Sequence, residues 1–588
     1  MIHRDSLHKE INKNQFQLFL GLWQSLSKKR KIKLVFLSLL IVLNSFSEVF
    51  SLAALVPFLM VLNHPEKLID YSFINKVFIY FGFQQSSDLL LPVTFIFIIS
   101  VLTAGSIRLL NLWYSGRISV EIGTDISREI YRRILLQDYS YHLQKESSEI
   151  ITILTSFISH TISVLRTILN LLTSLVIAIG IIFSLFFINW HIALTSLLIF
   201  GFSYLILALF VRSILISNSK IVADACERQI QILQESLGGI RDIILDSNQN
   251  TFLEIFKNID RSFRFKANQN QFIGAFPKYI IESLGLIILA FFAFYIVSNN
   301  EQGIVVIPFL GAFALGAQKL LPSLQQIYSG WSTVNSCLME LNVILEMLKQ
   351  PVPLNSISEN YFNVFNSFNF ENVSFKYSVN DKYAIKNINF NLKYGEMIGL
   401  MGANGSGKST TVDLIMGLLK PTSGKIFVDG NDLHDIKSNN RINSWRSLIA
   451  HVPQNVFISS STVRDNIAFG MSNEIVDEER IILAAKQSFS YDFIKKLPLG
   501  FDTKLGERGA NLSGGQLQRI GLARALYKKS NVLILDEATS ALDKETEQKV
   551  LNSISKLKNH KLIIIISHKK SILKNCDRLI KLSKGLIT

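Results

Sequence analysis

Apolar residues come in long runs up to about residue 325 and in short, interrupted runs after it, so the chain changes character there. A helix that crosses a bilayer needs about 20 mostly apolar residues. Six segments read as spans: Leu34–Leu62, Leu89–Tyr114, Ile162–Phe187, Ile192–Val211, Tyr279–Val297 and Ile304–Leu321, the last of them short and carrying Pro308. Residues 116–160 and 212–275 carry dispersed apolar positions among charges, as helices continuing out of the membrane would. Each stretch has a break, Asp138-Tyr139-Ser140-Tyr141 in the first and Gly238-Gly239 in the second, which predicts a helix down, a short transverse helix and a helix back. Before the first span, Phe16, Phe19, Leu20 and Trp23 follow helical spacing and are succeeded by Lys28, Lys29, Arg30, Lys31 and Lys33. That pattern predicts an amphipathic helix in the membrane interface. The aromatic-rich stretch from Tyr71 to Phe81 fits either the outer membrane surface or a helix packed on the spans.

The formal charge of +15 changes the picture only once it is located. Much of the excess borders the apolar runs, which points to membrane topology rather than to a nucleic-acid partner. Lys and Arg crowd Ser115–Thr161 and Arg212–Lys278, and are missing from the tight connections Asn189–Trp190 and Ser298–Gly303. The positive-inside rule then puts both termini and both long loops in the cytoplasm. Cys226, Cys337 and Cys576 have neither disulfide nor zinc spacing, and no cleavable signal peptide is expected. The division that follows is an N-terminal segment 1–33, a membrane domain 34–345, a linker 346–366 and a soluble α/β domain 367–588.

In that last domain Gly402-Ala403-Asn404-Gly405-Ser406-Gly407-Lys408-Ser409 fits the phosphate-loop pattern. It follows the strand-like Glu396–Leu400 and opens the helix-like Thr410–Leu419, the context in which glycines let backbone N–H groups wrap phosphates at a helix start. Lys408 then supplies the cation for the outer phosphates and Ser409 a Mg²⁺ ligand. Val532-Leu533-Ile534-Leu535 reads as a buried parallel strand ending in Asp536 and Glu537, on the edge where ligands of such sheets bind. Asp536 is expected to hold Mg²⁺, and Glu537 to polarise the attacking water. Ser513-Gly514-Gly515-Gln516 makes a second phosphate cradle at a helix start. One triphosphate does not need two cradles on one chain. Two chains head to tail do.

These motifs, in this order, resemble the ATP-binding cassette family, and in particular its exporter-type half-transporters. The resemblance runs from about residue 15 to the end. It implies an all-α six-helix transmembrane domain followed by an α/β P-loop cassette that binds ATP and Mg²⁺. It gives Tyr377 the adenine, Gly402, Asn404, Gly405, Gly407, Lys408, Ser409 and Thr410 the phosphates, and Ser513, Gly515 and Asp543 a place at the seam between subunits. Gln454 resembles the loop glutamine that senses Mg²⁺, and His568 the switch histidine at the γ-phosphate, so Glu537, His568 and Gln454 are the expected catalytic set. Ser409, Gln454 and Asp536 are the expected metal set. Gly506-Glu507-Arg508-Gly509 resembles the exporter loop before the signature, and Lys569-Lys570 departs from the more usual Arg-Leu after the histidine. The transverse helices are implied to couple to the cassettes, one of them in the partner subunit.

Intact motifs favour a homodimer over a heterodimer with a second chain. Intramembrane charges, each costing about 2.5–3.5 kcal/mol on insertion scales, mark the candidate substrate site: Glu48, Arg108, Lys278, Glu282 and Lys319. The three cations are expected toward the inner leaflet, suited to a phosphate or pyrophosphate head, or simply snorkelling there. Ser45-Phe46-Ser47-Glu48, Arg108-Leu109-Leu110-Asn111, Pro277-Lys278 and Lys319-Leu320-Leu321-Pro322-Ser323 resemble lipid-linked oligosaccharide flippases of the PglK type, with Lys278 and Lys319 where that type tends to carry arginine. The reading is an ATP-driven exporter or flippase that moves an amphipathic anionic substrate, foremost a lipid-linked oligosaccharide, from the inner to the outer leaflet of a bacterial inner membrane. Its rivals are a multidrug, lipid or peptide exporter with an apolar cavity, and a regulatory ATPase that moves nothing.

Overall fold

The computed structural model describes residues 15–63, 90–188, 194, 197–299, 306–352, 364–378, 380–435, 439–471 and 475–588. The Tyr71–Phe81 stretch, the outer ends of several spans and most of the linker lie outside them. Two compact units emerge, one holding the chain to Leu136 and Lys145–Val352, the other Gln137–Gln144 and Pro353–Thr588. The division therefore differs from a simple split near residue 346, because the short helix of the first loop clusters with the cassette.

The first unit is helical. In chain order its main elements are α1 (Gln15–Ser25), α2 (Lys28–Asn63) and α3 (Leu90–Leu135); after α4 (Tyr139–Gln144) of the other unit come α5 (Ser147–Thr152), α6 (Ile158–Ile188), α7 (Phe202–Gly238), α8 (Ile240–Leu245), α9 (Gln249–Asn299), α10 (Val306–Ser336) and α11 (Leu338–Lys349). Four segments, Lys28–Ser51, Leu90–Leu135, Ser147–Phe183 and Phe202–Gly238, are long and apolar enough to cross a membrane, counted among the described residues. The fifth and sixth predicted spans fall in α9 and α10, which run through Pro277 and Pro322 without ending.

Both long loops continue the spans as helices. Ile118, Ile122, Ile126, Ile130 and Ile134 recur every fourth residue along α3 and are all buried, so one stripe carries the helix well past the predicted end of the second span. The chain turns at Asp138 into α4 and at Gly238–Gly239 into α8, as the breaks predict. At the start, α1 packs on the protein through a face other than the one expected in the membrane interface. Leu18 and Leu22, one turn apart, are buried with Leu341 and Leu345 of α11, whereas Leu20 and Trp23 are exposed. The i, i+4 leucines share one side of the helix, and Trp23 stays on the side free for an interface. Deeper in the unit, His160 Nδ1 lies 2.8 Å from Oε2 of the buried Glu340, which ties α6 to α11.

The second unit is α/β. A four-stranded antiparallel sheet takes the order β2-β1-β4-β5, from β1 (Ser367–Phe375), β2 (Ile385–Lys393), β4 (Ser423–Val428) and β5 (Asn431–Asp432). A six-stranded sheet takes the order β10-β9-β3-β8-β7-β6, from β3 (Met397–Gly402), β6 (Ile449–Val452), β7 (Val532–Asp536), β8 (Leu562–Ile566), β9 (Arg578–Ser583) and β10 (Leu586–Ile587). Strands β3, β6, β7 and β8 pair in parallel. Their apolar runs are buried on both faces, which explains why they show no alternation in the sequence. The ends of β3 and β7 meet at one edge, and the site forms there.

His451 of β6 is half-buried, its enclosed Nε2 without a partner among the described residues, and desolvation pushes its pKa down to about 4. A depressed histidine favours folding above its ordinary value near 6.5 and loses that contribution as the pH falls toward 4. Acid unfolding of the purified protein is therefore expected to start below about pH 6.5. His451→Leu should remove a share of the acid loss on the order of 2 kcal/mol. Thermal unfolding scans of the two proteins from pH 7.5 to pH 4.5 test this, and parallel curves would refute it.

Candidate functional site

The phosphate loop runs from the end of β3 into α12 (Lys408–Ile415). Gly407 sits at φ +99°, and a Cβ there would meet Ala384 O at 2.8 Å, so the turn requires glycine on both counts. Lys408 Nζ donates to the carbonyls of Gly402 at 2.8 Å and Ala403 at 3.0 Å, which holds the ammonium across the mouth of the loop. Asn404, Gly405 and Ser409 are exposed at that mouth. Thr410 is buried instead, its hydroxyl 2.9 Å from that of Tyr377, so it steadies the adenine-side aromatic from behind. Tyr377 remains exposed and packs edge-on against Phe375.

At the end of β7, Glu537 adopts φ +48°, a left-handed conformation that costs a non-glycine residue about 1–3 kcal/mol. Its carboxylate is gripped at both oxygens: Gln454 Nε2 donates to Oε2 at 2.8 Å, and His568 Nε2 lies 3.2 Å from Oε1. The three residues predicted as the catalytic set are thus one contact group. Burial and then the neighbouring Glu537 push the Asp536 carboxyl above its usual range, against the pull of Lys408 and His568. Two adjacent carboxylates short of positive charge invite a cation.

Ser513 caps α13 (Gly514–Tyr527), accepting from Gln516 N–H while Gln516 reaches back to Ser513 N–H. Gly515 is pressed against the next loop, where a Cβ would come within 2.9 Å of Ala541 O. Asp543 caps α14 (Lys544–Ser555) through Thr546 N–H at 2.9 Å, and this bond lowers its pKa. Its carboxylate serves its own helix, and its reach to nucleotide is a matter for the assembled dimer.

Two participants escape the sequence reading. Gln518 is buried on α13, donates to Ser540 Oγ at 3.0 Å and to Glu537 O at 3.3 Å, and accepts from Ala541 N–H at 3.0 Å. It braces the loop after β7, and a polar residue on the apolar face of a helix was its available signal. Asp413, on α12, has its carboxyl pushed up to about 6 by burial and then by Asp536. The short helix α4 belongs to this unit as well. Tyr139 has its hydroxyl pushed up by burial and then by Asp413 and Tyr377, which places α4 beside the adenine side of the site.

Of the membrane candidates, only Glu48 and Arg108 are brought together among the described residues. Glu48 Oε1 lies 3.8 Å from Arg108 Nη1, with side-chain exposures of 9% and 65%. The depth of Arg108 differs from expectation. Helices α2 and α3 pair antiparallel, with Phe58 stacked on Phe97 and Lys33 bonded to Glu121 on either side of the Glu48–Arg108 contact. Arg108 is thus level with mid-span Glu48, about 20 Å along α3 from Glu121, and not at the inner edge. Counting from Tyr114 misplaces it because the helix does not end there. Lys278 and Glu282 are exposed, Lys278 beside the ring of Tyr279, and the side chain of Lys319 lies outside the description. Arg166 of α6, exposed near the inner end of the third span, is a further cation the sequence reading passed over.

The geometry agrees with what similarity shows. The profile of the ABC transporter transmembrane region matches residues 20–315, and that of the ABC transporter cassette matches residues 385–540. An ATP-dependent lipid A-core flippase of Albidiferax ferrireducens is 30% identical over 490 residues, covering 81% of each chain. Another so named, from Photorhabdus laumondii, is 28% identical over 581 residues, covering 97% of this chain and 94% of its own. Among solved structures, a bacterial Atm1-family ABC exporter with ATP bound superposes with TM-score 0.77 at 20% identity, covering 95% of this chain and 94% of its own. The chain belongs to the ABC transporter family. It has the exporter fold of a half-transporter, one helical membrane domain and one cassette, and it is an ATPase coupled to transport.

Proposed function

We propose that two copies of this chain form a homodimeric flippase that carries a lipid with an anionic, phosphate-bearing sugar head from the inner to the outer leaflet. The observation that carries the substrate class is Arg108: an exposed guanidinium at mid-span, held beside a buried carboxylate. A charge so placed is expensive in lipid and useful in a polar passage. Two relatives named lipid A-core flippases support a glycolipid cargo. A lipid-linked oligosaccharide has the same head chemistry and remains the finer reading within the class. Lys278 and Lys319 attract the head as point charges, whereas Arg108 can grip it with a fork of donors. The cationic loops support a cytoplasmic cassette and cytoplasmic termini, in keeping with a bacterial inner membrane.

Mg²⁺ fits the cassette. Ser409, Gln454 and Asp536 are oxygen donors of the kind that ion takes, and at Asp536 the pull of Lys408 and His568 does not outweigh burial and Glu537. When bound, the ion neutralises charge on the outer phosphates. The chain's own residues do the rest: the loop from Gly402 to Ser409 wraps the phosphates, and Tyr377 stacks on adenine. Glu537 takes the proton of the attacking water, while Gln454 and His568 hold its carboxylate in line. ATP bound between phosphate loop and partner signature then closes the cassettes, and α4 and α8 carry that motion to the spans.

Reconstitution tests the reading. Purified protein in vesicles should flip a fluorescent lipid A-core or lipid-linked oligosaccharide in an ATP-dependent way, and a neutral drug at least about tenfold more slowly. Arg108→Gln should remove most of that preference. Equal transport of the drug by both proteins would refute the anionic cargo.

A further inference from the structure

The contact between Glu48 and Arg108 has an unusual form. Its 3.8 Å separation lies at the outer limit of an ion pair, and Arg108 donates no hydrogen bond among the described residues. A guanidinium carries five N–H donors in a planar fork, and a bidentate carboxylate consumes two of them. Here none is consumed. The carboxylate is nearly enclosed while the guanidinium is mostly exposed, so the attraction fixes where the cation sits and leaves its donors open to an incoming anion.

The surroundings hold the helices that carry the pair. Asn44, one turn inward from Glu48, is wholly buried, and Asn111, one turn inward from Arg108, donates to Thr173 Oγ1 at 3.3 Å. Neither competes for the guanidinium. Close contact of the helix bearing Glu48 with α6 at Gly180, where a Cβ would meet Ser45 Oγ and Val49 at 2.9 Å, prevents α2 from turning. The stacked Phe58–Phe97 pair fixes the register on the other side.

We propose that Glu48 is a positioning residue: it touches no cargo, and holds the Arg108 fork at mid-span so that the donors face the anionic head as it passes. This rests on the reading that Arg108 grips that head. Glu48 also balances the cation when no cargo is present, so the empty transporter does not carry a lone charge at that depth.

A double-mutant cycle tests it, on the full-length protein in phosphatidylcholine nanodiscs, with lipid A-core as the probe and stimulation of ATP turnover as the readout. With Arg108 present, Glu48→Gln should raise the half-saturating lipid concentration about fivefold while the maximal stimulated rate changes less than about twofold. In the Arg108→Gln background the same change should shift nothing further. A shift of equal size in both backgrounds would show that Glu48 acts on its own and would overturn the positioning role. No shift from Arg108→Gln alone would overturn the reading beneath it, and so the two failures are distinct. Should Glu48→Gln fail to fold by its thermal transition, Glu48→Asp replaces it, with a smaller shift in the same direction and again only when Arg108 is present.

Discussion

Replacing Glu537 with Gln is expected to lower ATP turnover by at least about 100-fold while ATP still binds, because the change removes a proton acceptor and little else. The side chain keeps its length and a carbonyl oxygen, so one of the two contacts to Gln454 and His568 can persist. The left-handed backbone at this position also holds for either residue, since both carry the same Cβ. A carboxylate beside the outer phosphates repels them, and its loss should tighten nucleotide binding as hydrolysis stops. Phosphate release and binding of a fluorescent ATP analogue, measured on the same preparation, separate the two effects. Turnover within about tenfold of the parent would mean that another group accepts the proton. Joint loss of binding and turnover would instead mark Glu537 as part of the fold. His568→Ala and Gln454→Ala should each fall between parent and Glu537→Gln, because each leaves the carboxylate with one of its two holders.

The cassette was legible because its chemistry is written in contiguous residues. Gly407 must be glycine for reasons of φ and of space together, and Asp536–Glu537 end a strand whose apolar run is unmistakable. Such constraints act within a few residues and leave a local mark. The spans were legible for a similar reason, since hydropathy needs only length. What the sequence hid was pairing across elements. Arg108 looked like a late residue of a span ending at Tyr114, yet α3 runs on to Leu135 and its register against α2 sets the depth. On α1, helical spacing marked the side expected in the interface, and gave no sign that Leu18 and Leu22 on another side would pack against Leu345. Gln518 showed only as a polar residue on an apolar helix face, because its partners are made by a loop about 20 residues further on.

A mixed-dimer experiment gives the second large effect, and it decides whether nucleotide is shared between two chains. Lys408 and Ser513 lie in the same cassette, but one triphosphate needs only one phosphate cradle, so the Ser513 helix start is left for a nucleotide held by another copy. Lys408→Ala and Ser513→Arg, each alone, should lower ATP turnover of the homodimer by about 100-fold or more, the scale for removing a donor from a developing charge. Two differently tagged chains, one with each change, place both defects at one composite site and leave the other intact. Purified by both tags, this mixed dimer should regain about half of the turnover of the parent if its two sites fire independently. The doubly changed chain paired with an unaltered one should not recover, because each of its sites then carries one defect. The composition of the two dimers is identical, so only the sharing of sites between chains can separate them. The reverse order, recovery in the doubly changed pairing and none in the mixed dimer, would mean that each chain closes its own site, and the coupling of ATP to the spans through a closing seam would fall with it.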